Sequence, residues 1–189
     1  MQDFSILHYE AEDVAPRLLG CALVRELDGE RLECSIVETE AYSEKDAASH
    51  SYRGITPRTQ VMFGPAGYLY VYFTYGMHYC ANIVVARKGY GAAVLVRAVE
   101  PLRGTPIIEQ RRNGKHGPDL TNGPAKVCYA LGIDAAFNGH NLLDAPLQLH
   151  IRPSLQESRI TQTTRIGISK AVDKPWRFYI KDNPYVSKP

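Results

Sequence analysis

Alternating apolar and polar residues near the start of the chain predict a β-hairpin. Residues 21–27 and 31–42 are rich in apolar and β-branched side chains and flank the turn dipeptide Asp28-Gly29. Before this hairpin, Asp13 is expected to cap a short helix over residues 14–19, because a side-chain oxygen there can bind the free amide groups of a first turn. The chain is therefore predicted to open with a helix, a strand, a turn and a second strand.

More strands and two more helices are predicted downstream. Residues 43–66 contain Ser, Asp, Gly and Pro at short intervals and indicate an ordered loop. Two helices are expected, one from Thr105 to about Arg112 and one from Pro124 until Gly132 ends it. The strands predicted from β-rich runs are residues 68–73, 78–86, 92–99 and 176–180. Strands in hairpins with separate helices indicate the α+β class with a mainly antiparallel sheet.

Composition indicates a globular chain with one asymmetry of charge. The 189 residues, 44% hydrophobic and 22% charged, fit a single domain spanning residues 1–189. Residues 1–50 hold 4 Lys or Arg and 12 Asp or Glu, a net charge of −8, whereas residues 51–189 carry a net charge of +10. This asymmetry favours a nucleic-acid partner, although charge alone is explained equally well by an unevenly charged, solvated surface.

The sequence contains no motif for secretion or metal binding. Its acidic start lacks the apolar core of a signal peptide, and its four cysteines form no CxxC pair, so we expect an intracellular protein, cytoplasmic if bacterial. The uncharged stretch between Arg58 and Arg87 contains five tyrosines and several glycines, which indicates buried strands rather than a membrane span. No zinc-ligand spacing is found, so no metal or other cofactor is expected.

Two glutamates in the second predicted strand are the first candidates for chemistry. On a strand, Glu38, Glu40 and Tyr42 share one face, whereas Val37 and Ala41 lie on the other. A carboxylate held on a rigid strand can act as a general base. Spacing does not distinguish Glu38 from Glu40, and a half-buried strand with its acidic face in water would show the same pattern.

A cluster of tyrosines is the second candidate feature. Tyr68, Tyr70 and Tyr72 share one face of a predicted strand, and Tyr75 lies beside Gly76 at the expected tip of the hairpin. Stacked tyrosines can bind the flat face of a nucleic-acid base, and a bulky side chain at a tip can wedge into a base stack. Core and cross-strand packing is the alternative explanation.

Basic residues complete a possible nucleic-acid face. Arg58 ends the segment Thr56-Pro57-Arg58, and Lys126 lies at the start of a predicted helix, where free amide groups can bind phosphate. Each of these residues alone is equally well explained as solvated surface. Together with the tyrosines they describe a basic surface with a stacking pocket.

Several segments between about residue 16 and residue 187 match those of one known family, in the same order along the chain. They are Ile36-Val37-Glu38-Thr39-Glu40-Ala41-Tyr42, His50, Thr56-Pro57-Arg58, Gly67-Tyr68-Leu69-Tyr70-Val71-Tyr72, Tyr75-Gly76-Met77, Asn82, Arg97-Ala98-Val99-Glu100-Pro101-Leu102, Gly123-Pro124-Ala125-Lys126 and Arg177-Phe178-Tyr179. In these segments the chain resembles the alkyladenine (3-methyladenine) DNA glycosylases. The resemblance covers nearly the whole chain, and its long runs are specific.

The resemblance implies a monofunctional base-excision repair enzyme, without a lyase step. Such an enzyme flips an alkylated or deaminated purine (3-methyladenine, 7-methylguanine, hypoxanthine or ethenoadenine) out of duplex DNA. It then hydrolyses the N-glycosidic bond and leaves an abasic site. The implied partner is damaged double-stranded DNA, and one chain suffices for the reaction. The implied fold is a compact α+β domain with a curved antiparallel sheet, a protruding β-hairpin and flanking helices.

The resemblance also implies roles in catalysis and DNA binding. Glu40 matches the carboxylate that deprotonates the attacking water, and Arg97 matches the arginine that helps to hold this water. Tyr75 matches the side chain that fills the gap left by the flipped nucleotide. Arg58 and Lys126 fall in motifs that lie near the DNA backbone.

The base pocket follows from the same resemblance. Tyr42, His50 and Tyr72 match residues that stack on the flipped base or hydrogen-bond to it, and Asn82 matches the asparagine that disfavours guanine. Hypoxanthine is neutral and its departure needs a proton, for which His50 is the candidate donor. Electron-rich tyrosine faces suit alkylated purines, which are electron-poor or cationic.

Two other functions would use some of the same residues. A catalytically silent nucleic-acid-binding module would use the tyrosines and basic residues, and a small-molecule glycoside or nucleoside hydrolase would use Glu38 and Glu40. Loss of excision in Glu40→Gln with DNA binding retained separates the glycosylase from the binding module. Turnover of free nucleosides would indicate the hydrolase.

Overall fold

The computed structural model describes residues 3–74 and 76–187, and within them it contains eight β-strands and three α-helices. The strands are β1 (Ala22–Leu27), β2 (Glu30–Ser43), β3 (Leu69–Thr74), β4 (His78–Val84), β5 (Ala92–Arg103), β6 (Leu147–His150), β7 (Ile160–Thr163) and β8 (Arg177–Ile180). The α-helices are α1 (Ala11–Arg17), α2 (Thr105–Arg111) and α3 (Pro124–Leu131). Short 3₁₀ turns cover Ser5–His8, His50–Arg53, Gln60–Phe63, Gly117–Leu120, Ala135–Phe137 and Glu157–Arg159.

The strands form one antiparallel sheet. Its main path runs β3-β4-β5-β2-β1-β6, and β8 pairs with both β2 and β7. Helices α1 and α3 pack on this sheet. The predicted α+β class with a mainly antiparallel sheet is confirmed.

Strand β2 is the central strand of the sheet, because it pairs with three neighbouring strands. Residues 30–35 pair with β1 and residues 38–40 pair with β8, while β5 follows the other edge from Glu33 to Ser43. Register shifts on either side of Glu38 mark β-bulges, which redirect the side chains around them. Residues 38–40 are hydrogen-bonded along both edges, so they form a rigid support for a site.

Helix α1 packs on one face of β2 and leaves the other face for the glutamates. The Thr39 hydroxyl donates to the carbonyl oxygen of Ala15 on α1 at 2.9 Å. Val37 and Ala41 lie in the same buried core. Because side chains alternate along a strand, Glu38, Glu40 and Tyr42 point away from this helix.

Most predicted elements are present, and the start of the first helix is the clearest error. Helix α1 begins at Ala11, with Glu10 rather than Asp13 at the N-cap position. Asp13 lies inside the first turn, where the positive end of the helix dipole also favours a carboxylate. An acidic residue near a helix start therefore does not identify the cap by itself.

Three further differences concern strands and loops. Strand β5 continues beyond Val99 to Arg103, because Pro101 pairs opposite Cys34 beside a register shift, where a missing amide is tolerated. Strands β6 and β7, of four residues each, were not predicted. The predicted loop contains two 3₁₀ turns. No helix in the described part of the chain is long and apolar enough to cross a membrane.

Candidate functional site

A cleft of about 570 Å³ lies against the face of β2 opposite α1. Its walls come from β2 to β5, from the turn at residues 47–50 and from the loop at residues 166–170. Seven of the residues singled out from the sequence line it: Glu40, Tyr42, His50, Tyr70, Tyr72, Asn82 and Arg97. Strand positions far apart in the sequence therefore meet in one concave site.

Glu40 is fully buried, and three donors converge on its carboxylate. The backbone amide of Ile166 donates to Oε1 at 2.7 Å, and the Tyr42 hydroxyl donates to Oε2 at 2.7 Å. Arg97 Nη1 lies 3.2 Å from Oε1. These contacts fix the orientation of the carboxylate at the base of the cleft.

Glu38 is also fully buried, but its carboxylate is enclosed by a different set of groups and does not line the cleft. Its Oε1 accepts hydrogen bonds from Arg97 Nε at 3.0 Å, Arg177 Nε at 2.7 Å and the Ser187 hydroxyl at 2.9 Å. Its Oε2 accepts from the Ser187 amide at 2.7 Å. The alternative that this acidic strand face lies in water is wrong for both glutamates.

Arg97 is the buried cation that joins the two carboxylates. Burial would lower the pKa of this guanidinium, but the charges of Glu40 and Glu38 raise it above its usual value. The arginine therefore stays charged. It provides a positive group between Glu38, which is enclosed, and Glu40, which faces the cleft.

Aromatic rings form the wall above Glu40. The ring of His50 meets that of Tyr72 edge-on, with centroids 4.5 Å apart, and Tyr70 lies 5.7 Å from Tyr72. Burial raises the pKa of Tyr42 and of Tyr72, so both phenols stay protonated. Flat rings with neutral phenol groups, beside a carboxylate, suit an aromatic ligand better than an anion.

His50 lies at the rim of the cleft with part of its ring in solvent. Its Nδ1 lies 3.0 Å from the Tyr70 hydroxyl. Desolvation of its covered part lowers the pKa of His50, and the nearby Arg58 guanidinium lowers it further. The neutral imidazole is therefore favoured near pH 7, which argues against His50 as a cationic proton donor.

Asn82 is held at the floor of the cleft by strand β3. It pairs opposite Tyr70, and its Nδ2 donates to the Tyr70 carbonyl oxygen at 3.1 Å. Only 5% of the residue is exposed. A side chain fixed in this way can discriminate among ligands by steric fit.

The two basic candidates Arg58 and Lys126 are not among the residues that line the cleft. Arg58 is exposed, with its guanidinium carbon 5.6 Å from the centre of the Tyr72 ring. Lys126 contacts Asp119 Oδ1 and donates to Asn122 Oδ1 at 2.7 Å, so its ammonium group is already engaged. Tyr75 lies outside the described residues. Phe73 and Met77, on either side of it, are exposed.

Sequence patterns did not identify the wall formed by residues 166–170. Ile166 supplies a backbone amide to Glu40, and Lys170 also lines the cleft although its side chain is exposed. A backbone donor from an irregular loop has no signature in composition or periodicity. Gly167, with φ of 76°, is a local sign of a special turn there.

The described residues contain no group of three or more His, Cys, Asp or Glu side chains placed to hold a metal ion. The four cysteines are free and buried, including Cys80 in the cleft wall. Burial raises the pKa of the Cys80 thiol, which keeps it protonated. Besides this thiol, the cleft is lined by one carboxylate, one guanidinium, one ammonium group, one imidazole and several phenol rings.

Comparison with known proteins gives consistent matches along the chain. The family model for methylpurine-DNA glycosylase matches residues 5–184. Relatives named "Putative 3-methyladenine DNA glycosylase" include one from Carboxydothermus hydrogenoformans, 52% identical over 93% of this chain and 92% of the relative. Another from Methanoculleus marisnigri is 49% identical over 93% and 92%, and one from Rhodopseudomonas palustris is 47% identical over 94% and 83%.

Proposed function

The chain belongs to the methylpurine-DNA glycosylase family and is a 3-methyladenine DNA glycosylase, and from this premise we propose its substrates and mechanism. It removes alkylated or deaminated purines, namely 3-methyladenine, 7-methylguanine, hypoxanthine and ethenoadenine, from duplex DNA. Water activated by Glu40 hydrolyses the N-glycosidic bond and leaves an abasic site. The observation that carries this proposal is a fully buried carboxylate, held by three donors, at the base of an aromatic cleft.

Base flipping brings the damaged purine into the cleft. The sugar carbon C1′ of a stacked nucleotide is inaccessible, so the nucleotide must rotate out of the duplex at a cost of a few kcal/mol, which is smaller for damaged or weakly paired bases. The purine stacks between Tyr42 and the Tyr72–His50 wall. Asn82 crowds the 2-amino group of guanine and disfavours the undamaged base.

Glu40 and Arg97 carry the hydrolytic step. The Glu40 carboxylate takes a proton from the water that attacks C1′, and its negative charge stabilises the cation-like sugar of the transition state. Arg97 holds the water and the carboxylate in the relative position that the reaction needs. Cationic alkylated purines leave without help, whereas neutral hypoxanthine needs a proton from a group other than a charged His50.

DNA binding outside the cleft uses the basic residues and the hairpin tip. Exposed Arg58 contacts a backbone phosphate, and Tyr75 fills the gap left by the flipped nucleotide, as the family resemblance implies. Lys126 makes a weaker contact because Asp119 already neutralises it. A single chain carries all of these groups, so the enzyme acts as a monomer.

Product analysis tests the proposed reaction. Duplexes with one hypoxanthine or one ethenoadenine should release the free base and yield a strand that breaks only after alkali treatment. Borohydride should trap no covalent adduct, which checks Lys170 as an amine at the cleft. Breakage without alkali, or a trapped adduct that Lys170→Ala abolishes, would contradict a monofunctional enzyme. Turnover of free nucleosides but not of duplexes would contradict the DNA substrate.

A further inference from the structure

A buried ion pair lies directly behind the cleft. The side chains of Arg165 and Asp46 are both fully buried, although the two residues are 119 positions apart in the sequence. Arg165 Nη2 donates to Asp46 Oδ1 at 3.0 Å, and Nη1 contacts Oδ2, so the pair is bidentate. A bidentate arginine–carboxylate pair fixes relative orientation as well as distance.

Arg165 also contacts the strand that carries the catalytic carboxylate. Its Nη1 donates to the Ala41 carbonyl oxygen at 2.9 Å, and its Nη2 donates to that of Ala171 at 3.2 Å. The guanidinium carbon lies 4.7 Å from the centre of the Tyr42 ring and 5.3 Å from that of Trp176. One side chain therefore joins β2, the loop at residues 166–170 and the ring of Tyr42.

Asp46 fixes a second segment of the cleft lining, the turn at residues 47–50. Its Oδ1 accepts from the Ala48 amide at 3.2 Å, and its backbone carbonyl accepts from the Ser49 amide at 2.8 Å. These bonds shape the turn that leads to His50. The ion pair thus joins two segments that both line the cleft, residues 47–50 and residues 166–170.

Besides Arg97, two groups donate hydrogen bonds to Glu40, and both depend on this ion pair. Ile166, whose amide donates to Glu40 Oε1, is the residue after Arg165. Tyr42, whose hydroxyl donates to Glu40 Oε2, stacks on the Arg165 guanidinium. A change at Arg165 would therefore loosen the contacts on both oxygens of Glu40.

We propose that Arg165, with Asp46, is a positioning residue for excision that acts through Glu40. Its role presupposes the proposed function of Glu40 as the base. Burying two charges is costly, and an apolar pair could fill the same volume, so stability alone does not explain the pair. Lysine would keep the charge, but it lacks the planar fork and the stacking surface of arginine.

Arg165→Lys tests this role by separating chemistry from binding. The single-turnover excision rate on an ethenoadenine duplex should fall by about 10- to 100-fold, since misplaced catalytic groups are that costly. Affinity for a duplex with a stable abasic-site analogue should change by less than about threefold, because the change affects an interaction made in the transition state. A wild-type rate in folded Arg165→Lys would overturn the proposal, and so would equal losses of rate and affinity.

Arg25→Lys is the matched control. Arg25 is also buried, donates to the Leu131 carbonyl oxygen at 3.0 Å and stacks 4.8 Å from the centre of the Phe137 ring, but neither of these partners lines the cleft or holds Glu40. This variant should melt at a lower temperature and keep its excision rate per folded molecule. A loss of rate as large as that in Arg165→Lys would make the effect a general one of destabilisation.

A double-mutant cycle shows whether Arg165 acts through Glu40. In the Glu40→Gln background, Arg165→Lys should lower the residual rate on 7-methylguanine duplexes far less than it does in wild type, because the two residues act as a unit. Equal effects in both backgrounds would overturn the proposal. Full activity of Glu40→Gln alone would instead refute the proposed base. If Arg165→Lys does not fold, Asp46→Asn, which keeps the side-chain volume, replaces it in the same cycle.

Discussion

Two glutamates on one strand face have different surroundings, although the sequence shows them as equals. Glu38 is enclosed by Arg97, Arg177 and Ser187, whereas Glu40 faces the cleft. Spacing predicted that they share a face, and the common contact with Arg97 agrees with this. Spacing could not predict which one faces the cleft, because the groups that enclose Glu38 include Ser187, which is 149 positions away in the sequence.

The imidazole of His50 gives a test of the electrostatics at the cleft rim. Desolvation and Arg58 both lower the pKa of His50, so its proton NMR titration should have a midpoint below 6.5. Arg58→Ala should move this midpoint upward, toward 6.5, because a nearby positive charge is removed. At a pH between the wild-type midpoint and 6.5, most wild-type His50 rings are neutral, whereas most rings of a free histidine are protonated.

The neighbouring arginine supplies the control for that titration. Arg53 is exposed on the same 3₁₀ turn as His50, and it is not among the causes of the lowered pKa. Arg53→Ala should leave the midpoint unchanged. A wild-type midpoint above 6.5, or an equal shift in both variants, would contradict the proposed electrostatics.

At the scale of elements, strand β2 was largely predictable and its supports were not. Its alternation of side chains predicted the two faces, and the Asp28-Gly29 turn predicted its pairing with β1. Its pairing with the short strand β8 and its bulges depend on contacts distant in sequence. The wall at residues 166–170 depends on Arg165 and Asp46, and a pair 119 positions apart leaves no local pattern.

The junction between α1 and β2 is tested with Thr39→Val. This change removes the hydroxyl that donates to Ala15 and leaves a buried carbonyl oxygen without that partner. The free energy of unfolding should fall by about 1–3 kcal/mol, the cost of an unsatisfied buried group. The excision rate per folded molecule should stay near wild type, because Thr39 faces away from the cleft.

Urea unfolding and single-turnover kinetics check this prediction together. Thr161→Val on β7 is the control. Thr161 lies on a short peripheral strand, so this substitution should change the free energy of unfolding little. A loss of rate without a loss of stability in Thr39→Val would show that the α1 face of β2 takes part in catalysis. Unchanged stability would mean that the hydrogen bond to Ala15 contributes nothing.

At the scale of the whole molecule, charge is divided along the chain in a way that suits DNA. Residues 51–189 carry a net charge of +10, and residues 1–50 carry −8. Three acidic residues of the first segment, Glu38, Glu40 and Asp46, are buried in ion pairs, so the sequence total overstates the negative surface. This asymmetry alone could not identify a DNA-binding enzyme, and the ordered family motifs were needed.

Salt dependence of binding to an undamaged duplex tests the basic face. Affinity should fall steeply with salt, with a slope of log affinity on log salt near −0.9 for each phosphate contact. Arg58→Ala should make this slope less steep by about 0.9, the value of one lost phosphate contact. Lys126→Ala should have a smaller effect because Asp119 and Asn122 hold its ammonium group. A slope near zero, or a larger effect from Lys126→Ala, would contradict this assignment.

The most direct measurement is single-turnover excision of ethenoadenine from a duplex by wild type, Glu40→Gln and Glu38→Gln. We expect Glu40→Gln to lose at least about 100-fold in rate, the lower range for removing a general base, while it still binds the duplex. Glu38→Gln should mainly affect stability, seen as a lower melting temperature, and should affect the excision rate less. The reason is that its carboxylate supports Arg97 and does not line the cleft. A Glu40→Gln enzyme with a rate near wild type would contradict the central claim that Glu40 activates the water.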